Sequence, residues 1–129
     1  MSGDVVVDTS VFIDFLRSAE RYLLLEQLII DDRVVLSEVV RLELLAGVRK
    51  AEKFKLTKML SPLKRRAGFP SVSACESLLN NARGSGLFGS IPDIMILADA
   101  VEERSALASV DQKLVRLAKY LGVKTVEVV

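Results

Sequence analysis

Four carboxylates in this sequence stand where acids can do chemistry: Asp8, Glu43, Asp93 and Asp111. Asp8 follows the β-branched run Val5-Val6-Val7, and Asp111 follows the apolar run 106–110. Each therefore falls just beyond a predicted strand, where open α/β sheets bind their ligands. The ordinary role of an acid between strand and helix is to cap the helix, and both positions suit it. Glu43 is harder to explain that way. At about 100° per residue, Leu36, Val39, Val40, Ala46 and Gly47 share its helical face. An acid there needs a basic partner or a metal, because a lone buried charge is costly. Asp93 shares its face with Ile96, Leu97 and Ala100, and its ordinary alternative is again a helix cap, after Pro92. Asp99 lies on a separate polar arc with Glu102 and Glu103 and is expected in solvent, while Asp14 is expected to be structural.

Acids that converge repel, so some protonate unless a cation neutralises them. All-oxygen ligation suits Mg2+ or Mn2+. Such an ion can activate water and stabilise charge on a phosphoryl group, so the set implies metal-dependent phosphodiester hydrolysis. Composition narrows the field further. The 129 residues include no histidine and a single cysteine, Cys75. That excludes a Ser-His-Asp triad, a histidine general base and a histidine metal ligand. It also excludes an intramolecular disulfide and a Cys-rich zinc site.

To bring these acids together, the chain must alternate strands with helices. Strands are predicted over 5–7, 33–36, 106–110 and 124–129. Helices are predicted over 20–30, 37–48, 49–60, 70–83, 93–104 and 112–121, with a short one after Asp8-Thr9-Ser10. Ser37 opens the second of these, Gly122 caps the last, and residues 84–92 form a glycine-rich loop. Such alternation implies a central parallel sheet of four to five strands between helices, an α/β fold of three α/β/α layers. With no repeat or linker, residues 1–129 are expected to be one domain.

The segments that carry the acids resemble the motifs of PIN-domain nucleases. VVVDTSVFIDFL resembles the first motif, LSEVVRLELLAG the second, ARGSGLFGSIPDIMILADA the third and ALASVDQKL the fourth. They occur in family order and span nearly the whole chain. The size and the lack of additions resemble the toxins of VapBC-type toxin–antitoxin pairs. The resemblance implies a PIN-like fold and carries the family's acids onto Asp8, Glu43, Asp93 and Asp111, with hydroxyls at Ser10 and Ser109. It implies an endoribonuclease that cuts RNA with Mg2+ or Mn2+, works as a homodimer and is blocked by a cognate antitoxin protein. Asp8, Asp93 and Asp111 would be direct or water-mediated ligands. Glu43 would either bind metal or orient the attacking water. Asp99 departs from the pattern, because it interrupts a run of small residues.

Charge is unevenly spread. Residues 49–66 hold eight basic side chains and one acid, a net +7 within a chain of +1 overall. Such a run suits phosphate binding, and equally suits a solvated helical face. Leu45 with Val48, and the apolar stretch 22–30, fit an antitoxin groove or dimer face as well as core packing. Asp4, Asp8 and Asp14 interrupt every apolar run near the start, so no signal peptide is expected. No stretch approaches the roughly 20 apolar residues of a membrane span, and the cytoplasm is the expected compartment. Two other functions fit the same residues less well. A PIN-like module that binds RNA or protein without cutting would not need all four acids. A phosphotransferase with Asp8 as nucleophile would need a second Asp where Ser10 stands.

Overall fold

A computed structural model describes residues 3–129. Four parallel strands form the sheet: β1 (Val5–Val7), β2 (Val34–Leu36), β3 (Lys64–Arg65) and β4 (Ala106–Ala108), in the order β3-β2-β1-β4. Val5 pairs with Val34 on one side and with Ala106 on the other. The first three strands are laid down in one direction and β4 then crosses to the far side of β1. That reversal makes a switch point between β1 and β4, the place where open parallel sheets bind ligands.

Among the described residues seven α-helices flank the sheet, as expected for three α/β/α layers: α1 (Thr9–Arg17), α2 (Leu23–Ile30), α3 (Glu38–Gly47), α4 (Lys53–Leu60), α5 (Val72–Ala82), α6 (Ile91–Glu102) and α7 (Gln112–Tyr120). β1 and β2 are buried at every position, which is why their sequences are unbroken Val and Leu rather than alternating. Phe12 and Leu16 of α1, Leu44 of α3, Ile96 and Leu97 of α6, and Leu114 and Leu117 of α7 join them in one core. Each such side chain contributes roughly 1.5–3 kcal/mol on full burial.

Local signals set the helix ends. The Ser37 hydroxyl accepts from Val39 N and Val40 N to start α3, and Ser71 does the same for α5 through Ala74 N. Gly122, at φ 79°, ends α7. Its N–H donates to Lys119 O and that of Val123 to Ala118 O, a turn that glycine enters without a Cβ penalty. Asp14 is structural, as expected: the Tyr22 hydroxyl donates to it at 2.5 Å. Burial and that carboxylate push the Tyr22 phenol up to about 12.

Three expectations need correction. The stretch 20–30 is a 3-10 turn (Ala19–Arg21) followed by α2, and 49–60 is likewise a 3-10 turn (Lys50–Glu52) followed by α4. Residues 124–129 are not a strand. Thr125 makes one parallel bridge to Leu107, with Leu107 N donating to Lys124 O and Val126 N to Leu107 O. The fourth strand is instead β3, whose two exposed residues have no apolar pattern and are held by pairing with β2.

Candidate active site

Asp8 is the best-defined acid of the set. It directly follows β1, and its N–H donates to Ala108 O at the end of β4, which places it at the switch point. It occupies the N-cap of α1, yet its carboxylate makes no cap bond. The Ser10 hydroxyl donates to Oδ2 at 2.8 Å, and the Ser109 hydroxyl, from beyond β4, donates to the same oxygen at 2.7 Å. Its residue is only 6% exposed. Capping, the ordinary explanation for this position, therefore does not account for the carboxylate.

Glu43 is half-buried, because Ala46 and Gly47 on its face are exposed rather than packed. It forms no ion pair among the described residues. The Thr9 hydroxyl donates to its Oε1 at 2.6 Å across 34 residues of sequence. Thr9 and Ser10 thus orient different acids, and the start of α1 ties the β1 acid to the α3 acid.

Asp93 lies in the first turn of α6 but does not cap it. Ser90 is the cap, accepting from Asp93 N at 3.3 Å. The loop before α6 presses on this acid: a Cβ added at Gly89 would come 2.9 Å from Asp93 Oδ2. Burial pushes the Asp93 carboxyl above the usual carboxylate range. The Ser90 hydroxyl pulls against that, while the charges of Asp8, Asp111 and Glu43 all add to it. The four acids thus share one electrostatic environment.

Asp111 is exposed and does cap a helix, accepting from Lys113 N at 3.0 Å and Leu114 N at 3.4 Å at the start of α7. Its own N–H donates to the Ser109 hydroxyl, so one serine serves both Asp8 and Asp111. Among the described residues, no three carboxylates stand in geometry to hold one ion directly. The donor set fits a hard divalent cation bound through a few carboxylates and intervening water, the usual mode of Mg2+.

Asp99 overturns expectation. It is fully buried, not solvated. Ser37 donates to its Oδ2 at 2.7 Å and Arg66 closes on Oδ1. Arg66 also bonds Glu102 at 2.6 Å and approaches Glu103 at 3.8 Å. The polar arc of α6 is therefore an arginine site rather than a wet face, and Arg66 comes from just past β3. The same contacts alter the meaning of the basic run. Lys64 pairs with Asp4, Arg65 with Glu38, and Arg66 with the α6 acids, so part of the +7 is neutralised within the fold.

Sequence reasoning missed two residues here. Thr9 was visible only as a possible cap, since its partner is 34 positions away. Ser90 was legible in principle, as a serine immediately ahead of the pair Ile91-Pro92 that opens a helix.

The sequence matches the PIN domain family over residues 5–120, and the chain belongs to that family of nucleases. No curated protein matches it by sequence. Among solved structures, it is similar to a chain of the DNA-bound VapBC from Salmonella typhimurium, with a TM-score of 0.83 and 14% identity over 100% of both chains. It is also similar to a chain of VapBC2 from Rickettsia felis, bound to a promoter DNA fragment (TM-score 0.77, 20% identity, 95% of this chain and 97% of that one). A third similarity is to VapBC-1 of nontypeable Haemophilus influenzae, at TM-score 0.71 and 18% identity over 95% and 96% of the two chains. At these identities the likeness shows a shared fold. No helix among the described residues is long and apolar enough to cross a membrane.

Proposed function

We propose that the chain is an endoribonuclease dependent on Mg2+ or Mn2+, acting as the toxin of a toxin–antitoxin pair. Asp8 carries the reading: a buried acid at the switch point that caps nothing and is gripped by two hydroxyls. Asp8, Asp93 and Asp111 would hold the ion, and Glu43 would either join them or orient water. When bound, the ion supplies a nucleophilic water and neutralises charge at the phosphoryl group. The chain's own residues do the positioning. Ser10 and Ser109 fix the Asp8 carboxylate, Thr9 fixes Glu43, and Ser90 anchors the helix turn that presents Asp93. Burial does most to raise the Asp93 carboxyl, and the charges of Asp8, Asp111 and Glu43 add a repulsion that a cation would relieve. With no histidine in the chain, imidazole activation of the RNA 2′-hydroxyl is closed.

The VapBC-like fold supports a cognate antitoxin as partner. A homodimer and a cytoplasmic location complete the proposal. The test is cleavage of labelled single-stranded RNA by the purified chain with added Mn2+. Asp8→Asn and Asp93→Asn each abolish cleavage while preserving the circular-dichroism spectrum. Retained cleavage in both variants refutes the assignment. A second reading, a PIN-like module that binds without cutting, is favoured by one observation: the acids do not close into a direct chelating set among the described residues. Divalent-dependent cleavage rules it out.

A further inference from the structure

A cleft of about 700 Å³ lies between the end of α5, the loop 84–90 and the start of α6, the helix that carries Asp93. Leu79, Arg83, Phe88 and Ile91 line it with Gly84 and Gly86. Four features of this cleft point the same way. Its lining contains a cation and no acid, unlike the neighbouring carboxylate site. Arg83 makes no ion pair among the described residues, whereas Arg65 and Arg66 are tied to acids. Phe88 is 42% exposed, so an aromatic face is offered to the cleft rather than spent in the core. Gly84 and Gly86 hold left-handed φ values of 82° and 76°, and a Cβ at either would meet nothing within 4 Å, so the loop leaves open space there.

The loop that walls the cleft also reaches Asp93. Gly89 of the same loop lies against Asp93 Oδ2. We propose that this cleft is a subsite for one nucleotide of single-stranded RNA, flanking the scissile phosphate. The base stacks on Phe88, and Arg83 neutralises the adjoining phosphate. Aromatic stacking tolerates any base, and a single guanidinium suits a single phosphate. The subsite rests on the ribonuclease reading and adds the site at which that substrate is gripped.

The test measures binding of a fluorescein-labelled single-stranded RNA to the Asp8→Asn chain, which holds RNA without cutting. Adding Phe88→Ala weakens binding about 5- to 100-fold, and Phe88→Tyr restores it. Phe54→Ala removes a phenyl that is 78% exposed on α4, away from the cleft, and leaves affinity unchanged. Arg83→Gln lowers the salt dependence by about one phosphate contact. When an abasic nucleotide is walked along the RNA, the Phe88→Ala penalty vanishes at one position. If the parent binds RNA and Phe88→Ala binds as tightly, the subsite is overturned and the ribonuclease reading stands. If Phe88→Ala abolishes self-association in ultracentrifugation and spares RNA affinity, the cleft is an interface between copies and the subsite is again overturned. If the parent binds no RNA and the unmodified chain cuts none, both fall together.

Discussion

Removing Arg66 should strand a buried charge, and the size of the effect follows from its contacts. The Asp99 side chain is 1% exposed and the Arg66 side chain 16%. In Arg66→Ala, Asp99 retains only the Ser37 hydroxyl. Breaking a buried pair from one side costs about 3–5 kcal/mol. The surviving hydroxyl bond and the partial exposure of Arg66 favour the lower end, about 3 kcal/mol, a large share of a typical domain stability of roughly 5–15 kcal/mol. At roughly 3 °C per kcal/mol for a chain of this size, Tm falls by about 10 °C at pH 7. The pH dependence gives a second signature. Burial raises the Asp99 carboxyl above its unfolded range, while Ser37 and Arg66 pull it down. Without Arg66 it rises further. An acid raised in the folded state costs stability above its folded pKa, and the cost is relieved as pH falls through that value. Glu102 acts in the same sense. Ser71 and Arg66 hold its carboxyl low, so the unmodified chain loses that stabilisation as pH drops. The Tm gap between Arg66→Ala and the unmodified chain should therefore narrow from pH 7 toward pH 4. Arg66→Ala/Asp99→Asn should recover part of the loss at pH 7. Thermal melts across pH decide the matter. A gap under about 2 °C at pH 7, a gap indifferent to pH, or a double variant no better than the single one refutes the reasoning.

Other perturbations act on the candidate site itself. Asp8→Asn removes one of the charges that push on Asp93, so it should raise the Tm of metal-free protein even as it abolishes cleavage; a lowered Tm contradicts the repulsion. Thr9→Val frees Glu43 and should reduce kcat about 10- to 100-fold, the worth of a hydrogen bond to a charged group. Thr9→Ser should restore it, and failure of that rescue would assign Thr9 a packing role. Ser90→Ala should cost about 1 kcal/mol in urea unfolding through loss of the α6 cap, and a cost near zero would remove Ser90 from the site.

What the sequence revealed and what it hid divide along range. β1 was legible because three valines between acids allow little else, and α3 and α7 were legible because Ser37, Asp111 and Gly122 are caps acting within a few residues. The four acids were singled out by position and motif. β3 was hidden because Lys64 and Arg65 carry no apolar pattern and become a strand only by pairing with β2. Asp99 was misjudged because a helical wheel shows an acid among acids and cannot show Arg66 arriving from 33 residues away. The motif resemblance pointed to the Ser10 and Ser109 hydroxyls, but their shared hold on one Asp8 oxygen was hidden, because Ser109 reaches Asp8 across 101 residues. The apolar face assigned to Glu43 was half correct, since Val39 and Val40 are buried while Ala46 and Gly47 are not.

The most direct measurement is a calorimetric titration of Mn2+ into chelator-stripped protein, comparing the unmodified chain with Asp8→Asn, Asp93→Asn and Asp99→Asn. Saturable binding in the unmodified chain and in Asp99→Asn, with loss in Asp8→Asn and Asp93→Asn, is the expected result. No binding at millimolar Mn2+, or equal binding by Asp8→Asn, would contradict the claim that these carboxylates converge to hold a metal.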